Sequence, residues 1–168
     1  MHQPLRDIRK RIVRDACLPP PLDTELPALD IPAIATVIVS SEKTDHPIEH
    51  AFDGQRGSGA SRWLAAVPGE QCLIINFDTP QMLHQLVLDI EEPDVSRTQE
   101  LLLSVSSDGG RTYRDVVRQE YNFSPPGTTY ERETWALNTD RITHLAIRIT
   151  PDKGAQAALA TLTSVMLA

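Results

Sequence analysis

The sequence is short of cysteine, short of aromatic residues and free of long apolar runs, and each shortage closes off a class of protein. Two cysteines, Cys17 and Cys72, are too few for a disulfide framework. Two free thiols in a reducing compartment is the simpler expectation. No stretch approaches the roughly 18 consecutive apolar residues that a spanning helix needs. The opening residues, MHQPLRDIRKRIVRDACLPPPL, lack the apolar centre of a secretory signal, so the chain as it stands is expected to be cytoplasmic. Positive charge is scarce too: 16 Lys and Arg against 23 Asp and Glu leave a net charge of −7. Coating nucleic acid needs a basic surface, so nucleic acid is not an expected partner. There is no Gly-x-x-x-x-Gly-Lys phosphate loop and no Gly-x-Ser-x-Gly nucleophile elbow. The expectation is therefore a binding protein and not an enzyme.

What is present is turn chemistry. Thirteen prolines and eight glycines, with 40% hydrophobic residues, favour a loop-rich β fold with a real core over a helix bundle. The chain divides into three zones. Residues 1–16 place Leu5, Ile8, Ile12 and Val13 at helical spacing with Arg6, Arg9, Lys10, Arg11 and Arg14 between them, which predicts a short amphipathic basic arm. Such an arm needs a surface to be stable: its own domain, a sister subunit or a protein partner. Residues 17–32 hold Pro19, Pro20, Pro21, Pro27 and Pro32 and predict an extended connector. Residues 33–168 are a series of short apolar segments.

Those segments read as strands. Residues 35–39 are β-branched, and 72–77 are nearly all apolar. In 83–90, Leu86, Leu88 and Ile90 face one way and Gln85 and Asp89 the other. Leu101, Leu103 and Val105 alternate in the same manner. Ser107-Asp108-Gly109-Gly110 follows as a hairpin turn, with 113–117 as the return strand. Leu145, Ile147 and Ile149 alternate again, and 159–167 close the chain. About eight strands joined by tight turns describe an all-β antiparallel sandwich of jelly-roll type, with the helical arm appended. Glu91, Glu92 and Asp94 flank Pro93 and read as a solvated loop.

One set of residues carries a resemblance. His46-Pro47-Ile48-Glu49-His50-Ala51-Phe52-Asp53-Gly54, followed by Ser61-Arg62-Trp63, resembles the opening of the discoidin family, the coagulation-factor C-terminal type of galactose-binding-like domain. Phe77-Asp78-Thr79-Pro80 is similar to that family's corner, and 103–113 (LSVSSDGGRTY) to its hairpin, with Tyr113 where tryptophan is usual. Residues 145–150 and 159–167 resemble its last strands. The resemblance spans roughly 39–167 and implies a galactose-binding-like sandwich that takes a glycan or other small ligand through loops at one end, as bacterial carbohydrate-binding modules do. It also implies a structural calcium, placed among Asp53, backbone carbonyls of the 53–61 loop and the Ser61 hydroxyl. The family's further ligand, a glutamate in the closing strand, is Ser164 here, and Arg56 brings a cation into the loop. Both changes weaken such a site.

The candidate ligand contacts are His46, Arg56, Arg62, Tyr130 and Trp135, with Asp53 and Ser61 as the candidate metal residues. Asp53-Gly54 forms a tight turn, and Trp63 is expected in the core. His46 and His50 stand four apart, but Pro47 keeps them off one regular helix face. The stretch 121–135 concentrates Tyr121, Phe123, Tyr130 and Trp135 around Pro125-Pro126-Gly127 in a chain that is only 5% aromatic. It reads as an aromatic loop, whose rings either plug the core or bind. If they bind, the partner is a sugar or a protein. An alternative function follows: an intracellular protein-interaction or assembly subunit that uses residues 1–32 and the 121–135 loop.

Overall fold

The computed structural model describes residues 26–168. The arm expected over 1–16 and most of the connector expected over 17–32 lie outside them. Regular structure begins with one helical turn, α1 (Ile31–Ile34), across the end of the stretch expected to be extended. Pro32 suits this position, because the first turn of a helix has no use for its missing N–H. The strands that follow among the described residues are β1 (Ala35–Val39), β2 (Trp63–Leu64), β3 (Gln71–Glu91), β4 (Arg97–Ser106), β5 (Arg114–Phe123), β6 (Tyr130–Thr150), β7 (Thr161–Leu162) and β8 (Ser164–Leu167). A 3₁₀ turn, Ile48–Phe52, lies between β1 and β2.

The segments read separately as 72–77 and 83–90 are one strand. β3 and β6, 21 residues each, pair along their lengths with breaks in register between Asn76 and Gln85. Before the breaks β3 lies between β1 and the second half of β6, which also pairs with β4. After them β3 lies between β8 and the first half of β6. Irregularities of this kind bend a strand, and they let the same two strands serve both layers. The sheet order is β1-β3-β6-β4-β5 with β8 on β3, and β2 and β7 form a separate pair.

Alternation then fills the space between the layers. Leu73, Ile75, Leu86, Leu88 and Ile90 of β3 meet Leu101 and Leu103 of β4 and Leu145, Ile147 and Ile149 of β6 in one cluster. Trp63 is fully buried in it, and its indole N–H donates to the Ser41 carbonyl at 3.1 Å.

Two expectations are corrected here. The stretch 121–135 is not a loop. Tyr121 and Phe123 end β5 and Tyr130 to Trp135 begin β6, with only a short turn between them, closed by the Ser124 amide on the Thr128 carbonyl at 2.8 Å. Tyr121 and Phe123 are buried, and Trp135 packs against the core. Nor are Glu91 and Glu92 solvated: both are buried. Glu92 pairs with the buried Arg97 at 2.6 Å.

The β4–β5 hairpin turns where expected. Gly109 and Gly110 have φ of 77° and 80°, values that a side chain resists. Asp108 organises the turn by accepting from the Arg111 and Thr112 amides and the Thr112 hydroxyl. Those bonds, the Thr112 hydroxyl and amide first, hold its carboxyl well below the usual carboxylate range. A group whose pKa is depressed on folding stabilises above its unfolded pKa, about 4 for Asp, and loses that contribution as pH falls. Asp108→Asn is therefore expected to lower Tm at neutral pH, with the difference from wild type shrinking below pH 4. Melts across that range check it.

Candidate functional site

The candidate site is the 53–62 loop and the strand surface on which it sits. In the second half of β3, Leu86, Leu88 and Ile90 point into the core, so Val87, Asp89 and Glu91 point the other way. Asp89 and Glu91 are nonetheless buried, at 0% and 7% exposure, because the loop folds back over them.

Its polar groups turn toward these carboxylates. Glu91 accepts from the Ser58 hydroxyl at 2.6 Å and from the Gly59 amide at 2.9 and 3.1 Å. The Gly57 amide reaches Asp89 Oδ2 at 3.4 Å. Gly57 and Gly59 both have positive φ, 88° and 81°, and this is what lets amides two residues apart face the same side of the chain. At the loop's end the Arg62 guanidinium donates to the Glu91 carbonyl at 3.0 Å. At its start Asp53 accepts from the Gln55 amide at 2.8 Å and from the Ser61 hydroxyl, which closes the loop upon itself.

β6 completes the surface. Tyr130 stands opposite Glu91 and Arg132 opposite Asp89 in the β3–β6 register. Arg132 lies 3.7 Å from Asp89 Oδ2, while Asp89 Oδ1 has no hydrogen-bond partner among the described residues. Burial, and then the neighbouring Asp89 carboxylate, raise the Tyr130 phenol above its ordinary pKa. Arg56 is exposed on the loop and rims a groove of about 300 Å³ with Gln85, Val87 and Met166.

The structure thus brings Arg56, Arg62, Tyr130, Asp53 and Ser61 to one end of the sandwich. His46 stands behind them: its Nδ1 and that of His50 both lie 3.2 Å from the Arg62 carbonyl, and the two rings meet edge to face. Trp135 is not part of this group, since it packs against the core. Asp89, Glu91 and Arg132 are the site residues that sequence reasoning passed over.

The donor set does not suit calcium. Asp53 is the only carboxylate in the 53–62 loop, and both its oxygens already accept from the loop. Ser164 contributes no charge, and among the described residues no group of three or more His, Cys, Asp or Glu is placed to hold a metal. Calcium takes six to eight oxygens, carboxylates among them.

Comparison with known proteins bears on the fold. The F5/8 type C domain family matches residues 36–163. The chain belongs to that family. Among solved structures, this F5/8 type C domain is similar to the family 32 carbohydrate-binding module of C. perfringens NanJ in complex with galactose (TM-score 0.62, 12% identity, 83% of this chain and 96% of that one). It also resembles a Clostridium perfringens module, CpGH89CBM32-5, in complex with GalNAc-β-1,3-galactose (TM-score 0.59, 17% identity, 83% and 98%). A third likeness is the module of AlyQ in complex with 4,5-unsaturated mannuronic acid (TM-score 0.58, 19% identity, 80% and 95%). At these identities the likeness is one of fold. No curated protein matches the sequence.

Proposed function

We propose that this F5/8 type C domain is a non-catalytic glycan-binding module whose ligand lies against the 53–62 loop and the start of β6. The observation that carries this reading is the placement of Tyr130, opposite Glu91 in the β3–β6 register with Asp89 and Arg132 beside its phenol, where the polar, glycine-bearing loop is fastened to Glu91. A sugar offers both an apolar ring face and a dense set of hydroxyls. An aromatic side chain beside a guanidinium donor matches both. The fold supports the reading, since solved structures of the same shape hold galactose and other sugars. The alternative, an assembly subunit using residues 1–32 and an aromatic loop over 121–135, loses that loop, because its rings belong to strands and core, and its arm lies outside the described residues.

Titration calorimetry against a panel of neutral, N-acetylated and uronic-acid sugars tests the proposal. At least one sugar is expected to bind, and Tyr130→Ala to weaken it about tenfold, as loss of a central aromatic anchor does. Trp135→Phe, a change beside the core, is expected to leave affinity unchanged. Absence of binding across the panel would remove the proposal, and equal affinity of Tyr130→Ala and wild type would move the site elsewhere.

A further inference from the structure

We infer that the Glu91 carboxylate, with Asp89 behind it, holds the 53–62 loop in shape where relatives would use calcium, so that the loop of this domain is independent of the ion. A calcium loop turns oxygens toward its centre, because a cation needs lone pairs. This loop turns donors inward instead. The Ser58 hydroxyl and the Gly59 amide converge on Glu91, and the Gly57 amide points to Asp89. Inward amides two residues apart, with a hydroxyl between them, suit anions, and β3 supplies two carboxylates from within the chain. Arg62 closes the loop on the main-chain carbonyl of the same residue, Glu91, so one position on a paired strand receives both the middle and the end of the loop.

The other changes at this corner agree. Ser164, which stands where a further calcium ligand would be, lies opposite Asp89 in the β3–β8 register, so the carboxylate at this place comes from β3 and not from the closing strand. Its charge is met by Arg132 at 3.7 Å, a guanidinium in the neighbourhood where an ion would otherwise supply the positive charge. Calcium would have to displace the Ser61 hydroxyl from Asp53 and turn the loop amides away from their acceptors. The inference concerns how the loop is held, and it stands whether or not the loop binds a sugar.

The test uses the whole chain. Its thermal unfolding is followed in EDTA and in millimolar calcium chloride, with calorimetric titration of calcium chloride alone. The expected result is the same Tm in both and no saturable heat. A ligand bound only by the folded state must raise Tm once its concentration passes Kd. A clear calcium-dependent rise would therefore overturn the inference, and its loss in Asp89→Asn would assign the ion to the Asp89 carboxylate. Glu91→Gln supplies the second arm. It keeps the size of the side chain but loses its charge, and charged acceptors make the stronger bonds. Amide exchange at Gly57 and Gly59 is expected to speed up about tenfold relative to the β3–β6 core. Unchanged exchange there would equally overturn the inference. If Glu91→Gln does not fold, the calcium comparison on the wild-type chain still decides.

Discussion

Trp63→Ala is expected to destabilise the domain by about 3–5 kcal/mol, the range for removing a fully buried aromatic side chain. The ring is 0% exposed, its N–H bonds the Ser41 carbonyl, and its own carbonyl accepts from the buried Thr161 hydroxyl at 3.0 Å. Trp63 also begins β2, whose partner is β7. The cavity would thus open where the small β2–β7 pair meets the main sheet, a place with little paired backbone to close it. Domains of this size are stable by only about 5–15 kcal/mol, so the loss is a large share of the whole. A fall in Tm of roughly 10 °C or more is the expected reading. Trp63→Phe, which keeps much of the volume and loses the hydrogen bond, should fall between. A Trp63→Ala domain with wild-type Tm would show that the ring is not in the core.

The second large effect concerns Arg97. Its side chain is buried, pairs with Glu92 at 2.6 Å, and donates to the carbonyls of Pro151 at 3.0 Å and Leu159 at 2.6 Å. Burial pulls the guanidinium pKa down and Glu92 raises it again; the group remains a cation. It joins the start of β4 to the 92–96 and 151–160 segments, which lack regular pairing of their own. Removing one partner of a buried pair strands the other, at a cost of about 3–5 kcal/mol. Arg97→Met is expected to cost that much. The Arg97→Met/Glu92→Met double variant is expected to cost markedly less than the two single variants summed, because neither charge is then stranded. Strict additivity in denaturant melts would contradict the pairing.

These two residues also show what local pattern can and cannot reveal. Trp63 was legible as core from its size and its place after Ser61-Arg62. The sandwich was legible from alternation, as in Leu101, Leu103 and Val105, and from the Asp108-Gly109-Gly110 turn. Arg97 and Glu92 were not, since a charged residue near a proline reads as solvated and only contacts with the distant 151–160 segment bury it. Asp89 and Glu91 were missed for the same reason. Their direction, away from the core, follows from alternation with Leu88 and Ile90. Their cover is a loop about 30 positions earlier in the chain, which no local period encodes. Glu91 does continue the outward series of Val87 and Asp89, and that signal could have marked it as strand. The aromatic stretch misled in the opposite sense. Pro125-Pro126-Gly127 was a true turn signal, but it was stretched over flanking residues whose own period of two, Tyr121 and Phe123 about an exposed Asn122, already indicated a strand.

The proposed sugar site is the 53–62 loop with the first residues of β6. Backbone amide NMR shifts, followed while a binding sugar from the panel is titrated into the whole chain, test it most directly. Saturable shifts are expected to concentrate at residues 54–62 and 130–132, with Glu91 and the Gly59 amide among those that move. Saturable shifts concentrated instead on β4 and β5, with the 53–62 loop silent, would contradict it.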